Sequence, residues 1–301
     1  MAWESGIGIM RKQKPEFFEG LEHSCAAGGE DRIRAAPALP GIERVEARFT
    51  GAFFEPHRHD TYAVGVTLSG VQTFRYRGGR QVSLPGRIIV LHPDEIHDGA
   101  AGTDAGLRYR MLYLDPALVR RALGATAPLP FVRDPVLDDP ILRAALVDAL
   151  GRLDETPDDL ALADLVDRIA QSLARHGKRA GRPAASISPD RINRARDYLC
   201  DNALRDVRSR ELEDVTGLDR FTLSRQFRAL FATSPHRFLI MRRLDHARRL
   251  IAHGETLADT AAAVGFADQS HLTRHFKKSF GITPGRWARA TRASRAATER
   301  A

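Results

Sequence analysis

Short apolar runs separated by turn residues occupy residues 42–114. In the clearest of them, Val64, Val66 and Leu68 alternate with other residues before a Ser-Gly pair. Such alternation is typical of a half-buried β-strand, and short strands at regular spacing are typical of a sandwich or a small barrel. The pattern therefore predicts a β-domain over this segment.

The apolar spacing changes to that of helices after residue 116. Leu142, Leu146 and Leu150 recur every four residues, and a similar stripe follows in the next segment. Residues at this spacing share one face of a helix, so the pattern predicts helices after the β segment. The predicted helices of this part are 117–123, 140–153 and 160–174.

Residues 177–188, GKRAGRPAASIS, are basic, small or turn-forming, which predicts a linker. Ser188-Pro189 then has the sequence of a helix start, with an N-cap residue before a proline in the first helical position. The rest of the chain shows short helical patterns interrupted by glycine or Ser-Pro. Further helices are predicted near 209–216, 219–231, 235–252, 256–264 and 268–280.

A chain of 301 residues predicts about two domains rather than one small core. Its 43% hydrophobic and 28% charged residues are ordinary for a folded soluble protein and exclude wholesale disorder or a coiled-coil rod. We predict an α+β multidomain fold. Its parts are a β-domain with following helices at 1–176, a linker at 177–189, an all-α domain at 190–290 and a disordered tail at 291–301.

The net charge of +8 is unevenly distributed. Residues 1–176 contain 21 Lys+Arg and 25 Asp+Glu, a net charge of −4, whereas residues 177–301 contain 25 and 13, a net charge of +12. A basic domain beside a nearly neutral one is typical of a polyanion-binding module. The charge therefore predicts that the C-terminal domain binds nucleic acid.

Cys25 and Cys200 are the only cysteines, which excludes a disulfide framework and a zinc site built from paired cysteines. The N-terminus has no apolar run behind a basic start, and no stretch approaches the ~18 apolar residues of a membrane span. These features predict a cytoplasmic protein without a membrane partner.

An internal repeat with an offset of 49 residues lies in the basic half. LSRQFRALFATSP at 223–235 aligns with LTRHFKKSFGITP at 272–284. In each copy Leu, Phe and Phe stand at i, i+4 and i+8 and predict one buried stripe, and a short helix and a turn precede each copy. The repeat therefore predicts two helix-turn-helix units, with the helix at 235–252 between them. The identical pairs are Leu223/Leu272, Arg225/Arg274, Phe227/Phe276, Phe231/Phe280 and Pro235/Pro284.

Residues 190–289 resemble the DNA-binding domain of the AraC/XylS transcriptional regulators, most closely in AAAVGFADQSHLTRHFKKSFGITPGRW at 261–287. The resemblance implies double-stranded DNA as the partner, read by two recognition helices in successive major grooves. Arg would bind guanine, Gln adenine, and Phe or Thr the thymine methyl group. By resemblance the base-facing residues are Phe221, Thr222, Ser224, Arg225, Gln269, Ser270, Thr273 and Arg274, and the phosphate-facing residues are Arg228, Lys277 and Lys278.

Three residues depart from the family pattern. Glu213 replaces a small residue, Ala232 replaces the glycine after the second Phe, and Thr260 replaces an aliphatic residue. None of them removes a DNA-facing side chain, but Glu213 and Thr260 predict altered packing of their helices.

Three histidines in the β segment suggest ligand chemistry. His57 and His59 stand two apart on a predicted strand, hence on one side, and His97 follows later. Their arrangement resembles cupin motifs, in which three His and one Glu bind a metal. The Glu is absent, because its expected place holds Ala63 or Val64. A metal site, a structural role and a pocket for a non-metal ligand all stay open, and we predict no metal and no cofactor.

Residues 50–114 also resemble the cupin-like sensor barrel of the same family. The resemblance implies a small-molecule effector inside the barrel, and cationic and aromatic groups at alternate positions would suit an amino acid or organic acid. Thr67 and Phe74 are further candidates for the lining. The predicted effector-binding residues are His57, His59, Tyr62, Tyr76, His97, Arg108, Arg110 and Tyr113.

The whole chain is thus predicted to be a ligand-responsive transcription regulator without catalytic residues. By resemblance it is an activator of a neighbouring transport or catabolic operon, touches RNA polymerase and forms a homodimer through 140–153 and 160–174, unless these helices pack on their own barrel. Two alternatives stay open, a cupin metalloenzyme fused to a DNA-binding module and a DNA-binding protein whose barrel only dimerises.

Overall fold

The computed structural model describes residues 31–37, 39–124, 127–178 and 188–298. A β-rich N-terminal part is followed by an all-helical C-terminal part, as predicted. The strands of the described residues are β1 (Arg32–Ala35), β2 (Ile42–Phe49), β3 (Ala52–His57), β4 (Tyr62–Gly70), β5 (Gln72–Tyr76), β6 (Gly79–Ser83), β7 (Ile88–Leu91), β8 (His97–Ala101), β9 (Leu107–Leu114), β10 (Phe131–Val132), β11 (Val136–Leu137) and β12 (Gly177–Lys178). The helices are α1 (Pro116–Leu123), α2 (Pro140–Gly151), α3 (Asp159–His176), α4 (Pro189–Asp201), α5 (Ser209–Thr216), α6 (Arg220–Phe231), α7 (Pro235–Ala252), α8 (Leu257–Ala263), α9 (Gln269–Phe280) and α10 (Pro284–Thr298).

Two antiparallel sheets form the cupin-like barrel. The larger has the order β1-β2-β9-β4-β7-β11 and the smaller the order β3-β8-β5-β6. Along β9, Tyr109 and Met111 point into the core between the sheets with Phe74 and Tyr76 of β5. Leu112, one residue further on, belongs to a separate core on the outer face of the larger sheet. The period-two pattern thus divides each strand between an inner and an outer core.

Helices α2 and α3 cover that outer face. Leu142, Leu146 and Leu150 of α2 and Ile169 and Leu173 of α3 are fully buried there. The structure therefore resolves one open alternative, because the apolar stripes of these helices pack on their own barrel. A dimer contact through them has to use other residues.

The repeat has the same structure in both copies. Helices α6 and α9 begin at 220 and 269 and end at 231 and 280, the same offset of 49 residues. Asp219 and Asp268 cap their first turns by accepting hydrogen bonds from backbone N–H groups. Phe227 and Phe276, the middle residues of the two predicted stripes, are completely buried. Both predicted helix-turn-helix units are present, α5–α6 and α8–α9, with α7 between them.

Two predicted boundaries change. The predicted disordered tail is wrong for 291–298, which continue α10, because this segment is rich in Ala and Arg and lacks the Gly or Pro that would end a helix. The predicted linker begins later than expected, since Gly177 and Lys178 pair with Phe131 and Val132 of β10. Residues 179–187 of the linker lie outside the described residues.

The three departures from the family pattern have different consequences. Glu213 accepts a hydrogen bond from the N–H of Arg220 at 2.9 Å and so helps to start α6. Ala232 adopts the left-handed conformation, with φ of 57°, that the usual glycine would adopt. Thr260 is fully buried and its hydroxyl has no hydrogen-bond partner in the structure, so only this departure leaves a buried polar group unsatisfied.

Candidate DNA-reading surface and sensor interface

The predicted base-facing side chains lie on the accessible sides of α6 and α9. Phe221, Arg225, Gln269, Ser270 and Arg274 are exposed, and the other three are half-buried. Phe221 is 77% exposed, unusually high for so large an apolar residue. Their exposure follows from the sequence, because helical period alone separates these positions from the buried stripe. The half-buried three are Thr222, Ser224 and Thr273.

The predicted phosphate-facing residues have unequal surroundings. Arg228 and Lys277 occupy equivalent positions of the repeat. Arg228 donates a hydrogen bond to the Ser224 hydroxyl within its own helix at 2.8 Å. Lys277 instead forms an ion pair with Glu55 of the barrel, with 2.8 Å between Nζ and Oε2. A carboxylate of the sensor therefore holds one of the side chains predicted to hold DNA phosphate.

The C-terminal end of α9 docks against β3. The N–H of Glu55 donates a hydrogen bond to the carbonyl of Gly281 at 2.7 Å. Gly281 has a φ of 71°, and a Cβ atom there would lie 2.6 Å from Nδ1 of His57 and 2.7 Å from the carbonyl oxygen of Glu55. Only glycine satisfies both the backbone conformation and the close approach.

The barrel domain contacts both recognition helices at the same position of the repeat. The N–H of Arg58 donates to the carbonyl of Lys278 at 3.4 Å, near the end of α9. The guanidinium of Arg120, on α1, donates to the carbonyl of Ala229, near the end of α6. Residues 229 and 278 are 49 apart, the offset of the repeat. The sensor thus touches equivalent ends of the two helices.

Among the residues that the structure describes, five ion pairs join the two domains, and all have the same polarity. The carboxylate belongs to the N-terminal part and the cation to the C-terminal part in each of them. Three of the cations lie on α7, which runs along the interface. The pairs are Asp31–Arg286 at 3.2 Å, Glu43–Arg248 at 2.8 Å, Glu55–Lys277 at 2.8 Å, Asp60–Arg242 at 3.1 Å and Asp94–Arg237 at 2.9 Å.

Apolar contacts accompany these ion pairs. Ile282 and Ala290 are buried in the inner core of the barrel, with Trp287 packed beside them. The guanidinium of Arg286 lies 4.0 Å from the ring centre of Phe53 and donates to the Phe53 carbonyl. The C-terminal domain therefore completes the core of the sensor and is not only tethered to it.

The three histidines meet next to this interface. The ring centres of His57 and His97 are 4.3 Å apart, those of His59 and His97 are 4.8 Å apart, and the ring of Tyr113 lies 5.2 Å from that of His59. Tyr76 is paired in register with His97 on the neighbouring strand. The structure thus brings together five of the eight predicted effector-binding residues at one end of the barrel.

Each of these imidazoles uses Nδ1 in the same way. Nδ1–H donates to a backbone carbonyl, that of Glu55 for His57, of Thr61 for His59 and of Glu95 for His97. A neutral imidazole with this tautomer has a lone pair on Nε2. Nε2 of His59 is buried and has no hydrogen-bond partner in the structure.

Burial keeps these rings neutral. It lowers the pKa of His97 to about 4. Burial and the adjacent His97 lower the pKa of both His57 and His59 well below the ordinary imidazole value, and the nearby Arg237 lowers them further. At neutral pH the cluster therefore presents hydrogen-bond acceptors rather than positive charge.

Two arginines beside the cluster form ion pairs with Asp94. Nε of Arg237 lies 2.9 Å from Oδ1 of Asp94, whereas Arg58 uses a terminal nitrogen and its buried Nε makes no hydrogen bond in the structure. Sequence reasoning missed both residues. Arg58 stands between His57 and His59, which was an available signal, whereas Arg237 comes from the other domain and no local pattern indicated it.

Three predicted effector-binding residues lie elsewhere, and for them the prediction of a common lining is wrong. Arg108 and Arg110 point to the outer face of the larger sheet, where both form ion pairs with Glu46. Tyr62 belongs to the outer core and donates to the carbonyl of Pro130 at 2.8 Å. The alternation of β4 was correctly predicted, but alternation does not say which face is the interior.

In the described part of the chain, no group of three or more His, Cys, Asp or Glu residues has the arrangement of a metal site. None of the described helices has a segment that is long and apolar enough to cross a membrane.

Comparison with known families agrees with this architecture. The profile of the AraC-like ligand binding domain matches residues 39–170, and the profile of a helix-turn-helix domain matches residues 212–290. The chain belongs to the AraC/XylS family of transcriptional regulators. This AraC/XylS regulator is therefore a ligand-responsive DNA-binding protein, and proteins of its family are transcription regulators rather than enzymes.

The relatives span nearly the same length. The uncharacterized HTH-type transcriptional regulator YbfI of Bacillus subtilis (strain 168) is 25% identical over 249 residues, covering 81% of this chain and 90% of that protein. The HTH-type transcriptional activator RhaS of Enterobacter sp. (strain 638) is 24% identical, covering 80% and 89%. ToxT of Vibrio cholerae has the same fold, with a TM-score of 0.61 and 13% identity over 84% of this chain and 99% of that one. A further ToxT structure, with a TM-score of 0.59 and 12% identity over 88% of this chain and 98% of that one, contains a bound unsaturated fatty acid.

Gly281→Ala tests the close approach of α9 to β3. We expect the left-handed backbone conformation of the new alanine to lower the free energy of unfolding by ~1–3 kcal/mol. A further decrease is expected because the new methyl group meets His57 and Glu55. Thermal unfolding of the full chain measures the loss, and limited proteolysis measures opening of the interface. Ala232→Gly, at the equivalent position of the first unit, is the control: by the same argument it should relieve backbone strain and not lower thermal stability, and it should leave proteolysis of the interface unchanged. An unaltered Gly281→Ala protein would contradict the tight docking.

Proposed function

We propose that this regulator senses an amino acid or another small organic acid where the histidine cluster meets α7. The supporting observation is the pair of buried polar atoms without hydrogen bonds, Nε of Arg58 and Nε2 of His59, beside the ion pair of Arg237 with Asp94. Leaving a buried donor or acceptor unpaired costs ~1–3 kcal/mol, so a ligand that pairs them gains that free energy.

The chemistry of these atoms defines the effector. The guanidinium groups of Arg58 and Arg237 match carboxylate oxygens, and the lone pair of His59 matches an amino or hydroxyl hydrogen. The arginines replace Arg108 and Arg110 as the cationic part of the site. The fatty acid bound to ToxT is also a carboxylic acid, which supports an acidic effector here.

The same site suggests how the effector acts. Its carboxylate would compete with Asp94 for Arg237, and so would weaken one of the ion pairs that hold α7 on the barrel. His57 is also adjacent to Gly281, at the end of α9. A ligand at this place thus has different contacts in the docked and released states, as a switch with a coupling free energy of ~1–3 kcal/mol requires.

Arg237→Gln and Arg108→Gln distinguish this site from the one predicted by sequence. Calorimetric titration with amino acids and organic acids should identify a binder, and Arg237→Gln should weaken it at least ~10-fold, the effect of losing a charge-assisted bond. Arg108→Gln, on the outer face, should bind as the parent does. An equal loss of effector affinity in both variants, or binding of a neutral sugar alone, would refute the proposal.

On the DNA side, we propose that the exposed residues of α6 and α9 read bases and that Arg228, Lys277 and Lys278 hold phosphates. The net charge of +12 in this part of the chain supports electrostatic binding to duplex DNA. In the docked state Glu55 forms an ion pair with Lys277, so the sensor and a DNA phosphate compete for the same side chain.

Glu55→Gln tests this competition. Because the pair is half exposed, we expect release of Lys277 to increase DNA affinity only about two- to fivefold, measured by fluorescence anisotropy at fixed salt. The gain should vanish in the Lys277→Ala background, where nothing is left to release. Glu46→Gln, which removes an outer-face carboxylate, is the control. An equal gain with and without Lys277 would contradict direct competition.

We also propose that the protein is a cytoplasmic homodimer that activates transcription of a neighbouring transport or catabolic operon through contact with RNA polymerase. The name of the relative RhaS, a transcriptional activator, supports activation. Ile141 of α2 and Leu160 of α3 are 64% and 81% exposed, which supports a dimer contact beside the buried stripes.

Sedimentation velocity of the full chain tests the dimer. We expect a dimer at micromolar concentration, and a monomer after Leu160→Glu because the charge would have to be buried in the contact. Leu84→Glu, at a 52% exposed position of the barrel domain, should remain dimeric. A monomeric parent protein would exclude this part of the proposal.

A further inference from the structure

We infer that a second ligand site lies between β2, α2 and α3, on the outer face of the barrel, and that it binds a small zwitterion such as an amino acid through Arg44 and Asp148. The site is separate from the histidine cluster and does not depend on the function proposed for that cluster. A cavity of about 450 Å³ lies at this place, a volume within the ordinary range for small-molecule sites.

Arg44 forms the floor of this cavity. It is paired on the neighbouring strand with Leu112, which belongs to the outer core, so its side chain points to the outer face of the larger sheet. Arg44 is only 2% exposed, and among the residues that line the cavity only Arg44 and Leu165 are buried. A guanidinium group and an apolar side chain therefore form the bottom of the cavity.

Arg44 has no carboxylate partner in the described part of the chain. Its guanidinium donates to the carbonyls of Ala149, Arg152 and Glu155 at 3.3, 3.4 and 2.7 Å, and its buried Nε makes no hydrogen bond. The carbonyls at the end of a helix carry about half an elementary charge, so they neutralise only part of the guanidinium charge. Burial accordingly lowers the pKa of Arg44. A bound anion would stabilise a buried cation of this kind.

The charged side chains around the opening define what else such an anion carries. Arg152 forms an ion pair with Glu155 at 3.3 Å, and Arg168 forms one with Asp164 at 2.6 Å. Asp148 also lines the cavity, is exposed, and has no ion pair or hydrogen bond of its side chain among the described residues. One cation at the floor and one carboxylate at the rim are thus left without a charged partner. A ligand with both a carboxylate and an ammonium group matches them, whereas a simple anion would be repelled by the rim and a simple amine by the floor.

Alanine side chains make up much of the remaining wall. Their small size leaves space between α2 and α3, and their methyl groups offer apolar contact to the carbon skeleton of a ligand. A small aliphatic amino acid makes all three kinds of contact, whereas inorganic phosphate makes only the contact with the guanidinium. The alanines are Ala144, Ala145 and Ala149 of α2 and Ala161 of α3.

Calorimetric titration of the full chain tests the site. The probes are glycine, L-alanine, β-alanine and 4-aminobutyrate, which differ in size and in the distance between carboxylate and ammonium. We expect at least one of them to bind. The matched amine without its carboxylate should bind at least ~10-fold more weakly, because the guanidinium is buried. The matched acid without its amino group should bind about two- to fivefold more weakly, because Asp148 is exposed.

Variants at exposed positions locate the binding. Asp148→Asn should weaken the zwitterion about two- to fivefold and should not weaken the matched acid, because it removes only the partner of the ammonium group. Ala144→Trp should abolish binding by filling the cavity. Asp167→Asn, at an exposed position of α3 that does not line the cavity, is the control and should bind as the parent does. Arg44→Met removes the partner of the carboxylate but also three bonds to backbone carbonyls, so its thermal midpoint is measured as well.

The same titrations in Arg237→Gln separate this site from the histidine cluster. Binding that persists in Arg237→Gln and is lost in Ala144→Trp would support the second site. Binding that is lost in Arg237→Gln and persists in Ala144→Trp would place the amino acid at the histidine cluster, which would support the proposed function and overturn the second site. Absence of binding by all four zwitterions, or equal affinity for a zwitterion and its matched acid, would also overturn the second site.

Discussion

The close packing of the helical domain on the barrel is the constraint on which the rest of the structure depends. Gly281 allows the end of α9 to reach β3, and Ile282 and Ala290 then fill the core that the two sheets leave incomplete. The ion pairs of α7 with the barrel and the contact of Glu55 with Lys277 form across this interface, and the histidine cluster lies next to it. Sensor and reader thus share one interface rather than two separate surfaces.

Apolar packing and ion pairs contribute differently to the free energy of that interface. Apolar packing favours association, whereas partly buried ion pairs add little net free energy and mainly determine the register of the two surfaces. Several arginine Nε atoms in the interface remain without hydrogen bonds. Such incomplete pairing reduces the free energy that the polar contacts contribute to the docked state.

The repeat shows how one fold was adapted to two tasks. Helices α6 and α9 have the same aspartate caps, buried stripe and shared arginine, and the caps and the stripe maintain the helix-turn-helix unit. They differ where each faces its own surroundings: Ala232 and Gly281 at the helix end, and Phe221 and Ser270 at the start. Only the glycine of the second unit meets the barrel backbone closely.

The sequence by itself determined the elements, the order of a β-rich part and a helical part, and which side chains of α6 and α9 are exposed. Helical period, N-caps and the 49-residue repeat are local signals, so they predicted α6 and α9 almost to the residue. Only the tertiary structure decided which face of β9 is the interior, so that Arg108 and Arg110 left the predicted site, and only it brought Arg237 to the histidines. The tertiary structure also showed that five of the cations counted in the net charge of +12 form ion pairs with carboxylates of the sensor. These outcomes depend on contacts between residues far apart in the chain, and no local period encodes them.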